Sequence, residues 1–352
     1  MKMKSTFVWI AMILAAIVVT TLTFGSEAAQ AADKVYRFKI QSAYPRGDLS
    51  MELLNDFAAT ANKMSNGRIK IQVFADPELV PAEQLFEATQ KGTLDMLHAV
   101  AAMWGGIVPI GEVEFGLPYA YNLPGEPDIF TAGRLIRDLF FNTGYAELLR
   151  QEYAKQGLYW LDVHSYGPIV TMSTKRVRTC DDLKGMKIRV EGSWADYYNA
   201  LGARGTYISG MDSYMGLKLG TIDASQWDVS AITGLKWYEV APYWLQGGQN
   251  DVVVGHILFN MDSWNSLSDD LKKVMAAAAE DYFNKLLKVY VGEFKKVDDL
   301  IKAGKVIKSP IDDACDRMHE QAAIALWDKI AQRDPAAAKG IEIIKAWRKT
   351  LK

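Results

Sequence analysis

Two α/β lobes braced by one long helix are the fold that the sequence predicts, and three observations predict it. Short β-rich runs alternate with helical runs, the rhythm of a largely parallel sheet with helices on its faces. The rhythm starts afresh near Tyr159, so a second lobe is expected, joined to the first by more than one crossing. Beyond Ser268 a helical pattern runs without a breaker to about Leu300. At 1.5 Å per residue such a helix is about 50 Å long, more than one lobe.

The elements follow in order. Tyr36 to Gln41 alternates as a strand does, and Pro45-Arg46-Gly47 is a turn. Met51 to Met64 places Leu53, Leu54, Phe57, Ala58 and Ala61 on one helical face, with Gly67 as the stop. Ile69 to Phe74 is a second strand, Pro81 to Lys91 a helix with proline at its start, and Asp95 to Val100 a third strand. In the second half Tyr159 to Val163, Ile169 to Met172 and Met186 to Val190 read as strands. Ser193 to Leu201 and Ser213 to Leu219 read as helices ended by Gly202 and Gly220, and Val252 to Asn260 is apolar and β-rich. Ser268 caps the long helix, whose first turn holds Asp269 and Asp270 as the macrodipole prefers. Leu271, Val274, Ala278, Phe283, Leu286 and Leu287 form a packing face too irregular for a coiled coil, and Gly304 is the expected stop. The expected division is a signal peptide over 1–31, a first lobe mainly within 32–155, a second mainly within 156–260, and bracing helices over 261–352.

The ends and the composition narrow the function. Lys2 and Lys4 precede an apolar run from Phe7 to Phe24, and Ala29-Gln30-Ala31 supplies an A-x-A cleavage pattern. An uncleaved anchor is the alternative, but a cleaved leader and a soluble, exported chain beginning near Ala32 are expected. The formal charge of −2 gives no basic face for nucleic acid. The two cysteines, Cys180 and Cys315, are allowed to pair in an oxidising compartment, and spacing does not decide it. The four histidines His98, His164, His256 and His319 have no second ligand at metal spacing and read as structural. No G-x-S-x-G, P-loop or dinucleotide fingerprint is present, so an enzyme is not expected and no metal site is assigned.

Arg189 is the residue that stands out. It lies in the strand run Met186 to Val190, and a charge there must find an anion. That anion is either a nearby carboxylate or a ligand, whose carboxylate or sulfonate suits the guanidinium fork. Gln226, Trp227 and Trp104 are candidate pocket walls, with plain core as the alternative for the tryptophans. Tyr44 ends the first strand, where open α/β sheets present ligand contacts.

These residues sit in motifs that resemble the extracytoplasmic solute receptors of TRAP transporters, the DctP-like family. The resemblance is carried by Asp181-Asp182-Leu183-Lys184-Gly185-Met186-Lys187-Ile188-Arg189-Val190, by Leu201-Gly202-Ala203, by Tyr214 through Gly220-Thr221-Ile222-Asp223, by Tyr238-Glu239-Val240-Ala241-Pro242-Tyr243, and by the helix after Ser268. It implies a two-lobed, type II-like periplasmic binding protein that closes on an organic acid and delivers it to the small and large subunits of a membrane permease. It implies that Arg189 grips the ligand's acid head. Many relatives have G-P-R where this chain has Gly167-Pro168-Ile169, so a second anion-binding arginine is missing. Asp223-Ala224-Ser225-Gln226-Trp227 is similar to the D-A-x-E-W of keto-acid and lactate receptors, which bridge ligand and protein through a cation held partly by glutamates. Gln226 takes one such position and Asn250 another. Amides in place of acids remove charge that would hold a cation, so none is expected, although a bridging cation stays possible. The expected ligand is a small organic monoanion: a hydroxy or oxo monocarboxylate, or a small sulfonate such as isethionate. The alternatives are a C4-dicarboxylate receptor, disfavoured by Ile169, and a protein that feeds a periplasmic sensor. The oligomeric state is left open.

Overall fold

The computed structural model describes residues 34–121, 123, 128–247 and 252–351. The expected signal peptide and Asn250 lie outside them. The first half contains β1 (Tyr36–Ser42), α1 (Leu49–Met64), β2 (Ile69–Phe74), α2 (Leu85–Gln90), β3 (Met96–Ala99), α3 (Ile110–Phe115), α4 (Ile129–Asn142), α5 (Tyr145–Ala154) and β4 (Leu158–Pro168). There follow β5 (Val170–Ser173), α6 (Cys180–Leu183), β6 (Lys187–Arg189), α7 (Trp194–Ala200), β7 (Arg204–Thr206), α8 (Gly210–Leu219), β8 (Ala224–Trp227), α9 (Ser230–Thr233) and β9 (Tyr243–Gln246). The remainder is β10 (Val252–Asn260), α10 (Met261–Asn265), α11 (Asp269–Lys302), β11 (Ile307–Pro310), α12 (Asp313–Arg333) and α13 (Pro335–Arg348).

Two sheets organise these elements. Alternation in β1 buries Phe38 and Ile40 and exposes Arg37 and Lys39, as one covered face requires. β1 lies parallel to β2 and β3, and the first sheet runs β2-β1-β3-β10-β4 with β10 antiparallel to both of its neighbours. The second sheet runs β11-β9-β5-β8-β6-β7. There β6 is parallel to β7 and β8, while β5 is antiparallel to β8 and β9.

Two strands of the stretch expected to lie mainly in the second lobe belong to the first sheet. β4 stays on the first sheet to Pro168, and the chain reaches the second sheet only at β5. β10 returns to the first sheet, although it falls within the stretch expected to form the second lobe. Periodicity marks where a strand is; it carries nothing about which strand it pairs with, and β4 and β10 pair with each other.

The long helix behaves as its pattern requires. α11 has 34 residues, a length of about 51 Å. It leaves the first sheet after β10 and α10 and delivers the chain to β11 in the second sheet. Leu271, Met275, Ala278, Tyr282, Leu286 and Tyr290 form its buried face, which packs on α1, α4 and β4 of the first lobe and on α9 of the second. Gly304 adopts a φ of 69° just beyond it, a conformation glycine takes without a Cβ clash. α12 then packs on α7 of the second lobe and α13 on α3 and α5 of the first. Cys180 and Cys315 are joined in a disulfide with Cα atoms 5.0 Å apart, which settles the pairing that spacing left open and ties α6 to α12. Among the described residues no helix is long and apolar enough to cross a membrane.

Candidate functional site

The carboxyl ends of β1, β3, β4, β6 and β8 meet at one cleft, the position at which open α/β sheets bind ligands. The first lobe contributes Tyr44, Phe115 and Tyr166, and the second contributes Arg189, Glu191, Gln226, Trp227 and Asp228, with Ile169 at the crossing between them. The cleft is small and partly open to solvent.

Arg189 closes β6, with Ile188 on the opposite face of the strand, and its side chain is 2% exposed. Its Nε donates to the Ile208 carbonyl at 3.0 Å and Nη1 to the Gln226 carbonyl at 3.0 Å. Nη2 pairs with the Glu191 carboxylate. The guanidinium carbon stands 4.8 Å from the Trp227 ring centroid and 5.5 Å from that of Tyr207, within cation–π range. The buried charge has therefore found an anion within its own chain, the alternative that the strand pattern left open. Backbone acceptors fix the plane of the fork. Among the described residues these bonds use three of the five N–H groups of an arginine.

Sequence reasoning missed three carboxylates here. Glu191 follows Arg189 by two residues, so the alternation that places Arg189 at the cleft also aims Glu191 there. Burial raises its carboxyl, opposed by the Arg189 charge. Asp228 accepts from the Ser230 amide at 2.7 Å. Burial, seconded by the Asp48 carboxylate, pushes Asp228 up to about 7. Asp48 caps α1, accepting from the amides of Ser50 and Met51 at 2.9 and 3.0 Å. Its second oxygen receives the Trp227 indole N–H across the cleft at a long 3.4 Å. Arg189 therefore shares the cleft with two carboxylates, Glu191 and Asp228, with Asp48 close by.

The other expected residues divide. Gln226 lines the cleft, 2% exposed, and its side-chain nitrogen is buried with no hydrogen-bond partner among the described residues. Trp227 packs edge-on against Tyr44, centroids 5.7 Å apart. The Tyr44 hydroxyl accepts from Tyr166, which bonds His164, which stacks 4.5 Å from His98. His98 is held in turn by Ser42 and Tyr282. Burial lowers His98 to about 3 and lowers His164 well below the usual histidine range. The pair is a neutral hydrogen-bonding wall that fixes Tyr44, in line with a structural role.

Trp104 is displaced from the expected site. It is core: its indole donates to the Tyr153 hydroxyl at 3.3 Å and its ring lies on His256 and Phe86, centroids 5.2 and 5.0 Å away. Tyr153 links it to Glu114, a buried carboxylate that also receives Trp160 and His256. Ile169 faces the cleft as an apolar wall.

Among the described residues no cluster of three acidic, histidine or cysteine groups gathers in the cleft. Among the described residues three acidic, histidine or cysteine ligand atoms converge only at Cys180, Cys315 and His319, where both sulfurs are already bonded to each other. In the cleft Glu191 is paired with Arg189, and one oxygen of Asp228 accepts from the Ser230 amide.

Several bonds join the lobes. Glu112 of α3 receives the Ser193 amide and hydroxyl at 3.0 and 2.8 Å, and the Trp194 indole donates to the Gly116 carbonyl. Near the cleft, Tyr207 donates to Glu83 at 3.1 Å in an exposed setting. This bond exists only with the lobes together. Tyr207→Phe should therefore speed ligand release about 3- to 10-fold, the ordinary net value of about 0.7–1.4 kcal/mol for one hydrogen bond in an exposed setting, with little change in association rate. Stopped-flow measurement checks this, and an unchanged release rate would remove Tyr207 from the closing contacts.

Two lobes on separate sheets, joined by several chain crossings and a bracing helix around a cleft with a buried arginine, are the architecture of a solute-binding protein. The chain belongs to the bacterial extracellular solute-binding proteins of family 7, whose family model matches residues 40–334. It is a solute-binding protein and not an enzyme. The chain is 23% identical over 325 residues to a monocarboxylate 2-oxoacid-binding periplasmic protein of Nostoc sp., covering 90% of this chain and 85% of that protein. It is 28% identical over 225 residues, 62% of each chain, to the ectoine/5-hydroxyectoine-binding periplasmic protein UehA of Ruegeria pomeroyi. In three dimensions it is similar to a TRAP solute-binding protein from Pseudoalteromonas atlantica T6c with bound sodium and pyruvate. The TM-score is 0.82 at 21% identity, over 90% of this chain and 95% of that one.

Proposed function

We propose that this protein is the periplasmic receptor of a TRAP system, capturing a small organic acid with one acidic head and handing it to the small and large membrane subunits. The observation that carries the reading is Arg189: a buried guanidinium, planar and held by backbone acceptors, with N–H groups left for a ligand at the cleft. The orphan side-chain nitrogen of Gln226 offers a further donor to the same anion. Hydroxy or oxo monocarboxylates and small sulfonates such as isethionate have a head of this kind. A second acidic group would meet Ile169, Glu191 or Asp228 in place of a partner, which argues against C4-dicarboxylates. The leader pattern at the N-terminus and the periplasmic relatives support export.

The test is a thermal-shift screen of the mature chain against small organic acids and sulfonates. A ligand at a hundred times its Kd contributes about 2.7 kcal/mol, a readily measured rise in Tm. Silence across every acid would sink the acid-receptor reading. Because Glu191 is taken up by Arg189 and position 226 carries an amide in place of an acid, we propose that no cation bridges ligand and protein. Treatment with a chelator should leave the Kd of a binding acid within twofold, measured calorimetrically. A loss of affinity that calcium restores would overturn that part.

A further inference from the structure

We infer that the ligand is a zwitterion, with its acid on Arg189 and Gln226 and a protonated amine or amidinium turned toward Asp228. The inference rests on Arg189 being the acid clamp and adds what must lie at the ligand's other end.

The argument is one of charge. Among the described residues lining the cleft, Arg189 is the sole cation, against two carboxylates, Glu191 and Asp228. Glu191 is spent on Arg189. Asp228 is left with no cationic side chain facing it from the lining, and Asp48 stands close behind Trp227. A plain monoanion entering this cleft adds a third negative group to one positive group as water leaves, where like charges are poorly screened. A ligand that carries its own cation brings the acid that Arg189 accepts and the counter-charge that Asp228 lacks. The raised Asp228 carboxyl marks the same deficit, since an adjacent ammonium favours the ionised form. The Tyr44 ring lies at the cleft as well, and aromatic rings accept cationic groups. The competing arrangement keeps Asp228 protonated as a neutral donor to a ligand hydroxyl or oxo group.

Matched probes that differ only in that group separate the two. The mature chain is titrated calorimetrically with taurine against isethionate, β-alanine against 3-hydroxypropionate, and proline against tetrahydrofuran-2-carboxylate. The expected result is at least tenfold tighter binding of the ammonium member in one or more pairs. Asp228→Asn should bring that ratio close to one, and Glu191→Gln should leave its direction unchanged. A ratio is insensitive to a general loss of stability, so a weakened variant remains informative. Equal or tighter binding of the oxygen member in every pair that binds would overturn the zwitterion and leave the acid receptor standing. Silence from all six probes, with another acid active in the thermal screen, would overturn it too. Silence from every acid would remove the underlying reading as well.

Discussion

Arg189→Ala is expected to abolish binding of any acid that the native receptor captures and to lower the melting temperature of the ligand-free protein. The two effects have separate causes. Truncation removes the guanidinium donors from the cleft, and losing a hydrogen-bonded charge from a buried site costs about 2–5 kcal/mol of affinity, roughly a 30- to 5,000-fold rise in Kd. It also leaves Glu191 buried beside a void and takes the donors from the Ile208 and Gln226 carbonyls. Removing one partner of a buried pair destabilises by about 3–5 kcal/mol. Arg189→Lys separates the effects, because it keeps the positive charge near Glu191 while losing the planar fork. We expect Arg189→Lys to fold and to bind at least tenfold more weakly. Calorimetric Kd values alongside ligand-free melting curves check this. If Arg189→Lys binds within threefold of the native protein, Arg189 is a strut for Glu191 and the clamp lies elsewhere.

What the sequence discloses about this site follows from the range of the forces involved. Arg189 and the helix after Ser268 are legible because each breaks or extends a local period: one charge in a β-run, one helical pattern longer than a lobe. Glu191 was within the same reach, since the period of two that aims Arg189 at the cleft aims Glu191 there also. Asp228 and Asp48 were not. Asp48 reads locally as a helix cap, and that is one of its roles; its contact with Trp227 spans 179 positions of chain. Trp104 failed for the converse reason. An aromatic side chain near a strand end suits a cleft wall or a core equally, and the choice was made by Glu114, His256 and Tyr153, which the chain supplies from three other elements. The sheet membership of β4 and β10 is non-local in the same sense: each strand is visible, but their mutual pairing is a property of the assembled sheet.

Breaking the Cys180–Cys315 bond should produce the largest loss of stability available from a change that leaves the cleft untouched. The bond joins positions separated by 135 residues, and in the chain-entropy account closing so long a loop in the unfolded ensemble is worth about 5 kcal/mol. That is a third or more of the 5–15 kcal/mol that typically separates folded from unfolded protein. The local structure on each side has its own support. Thr179 and Asp182 form a capping box at the start of α6, and Asp312 accepts from the Cys315 amide at 2.7 Å at the start of α12. The helices should therefore keep their places when the link is cut, so the loss falls on stability and not on geometry. Neither cysteine lines the cleft. The double variant Cys180→Ser/Cys315→Ser should accordingly melt roughly ten degrees lower, at about 2–4 °C per kcal/mol, while its Kd at 25 °C for any bound acid stays within twofold. Calorimetric melting with and without reductant, on native and variant chains, checks the first expectation, and titration checks the second. A melting temperature unchanged by both reduction and substitution would mean that the link does not constrain the unfolded chain. A large change in Kd would mean that the α6–α12 tie helps to set the closed position of the second lobe.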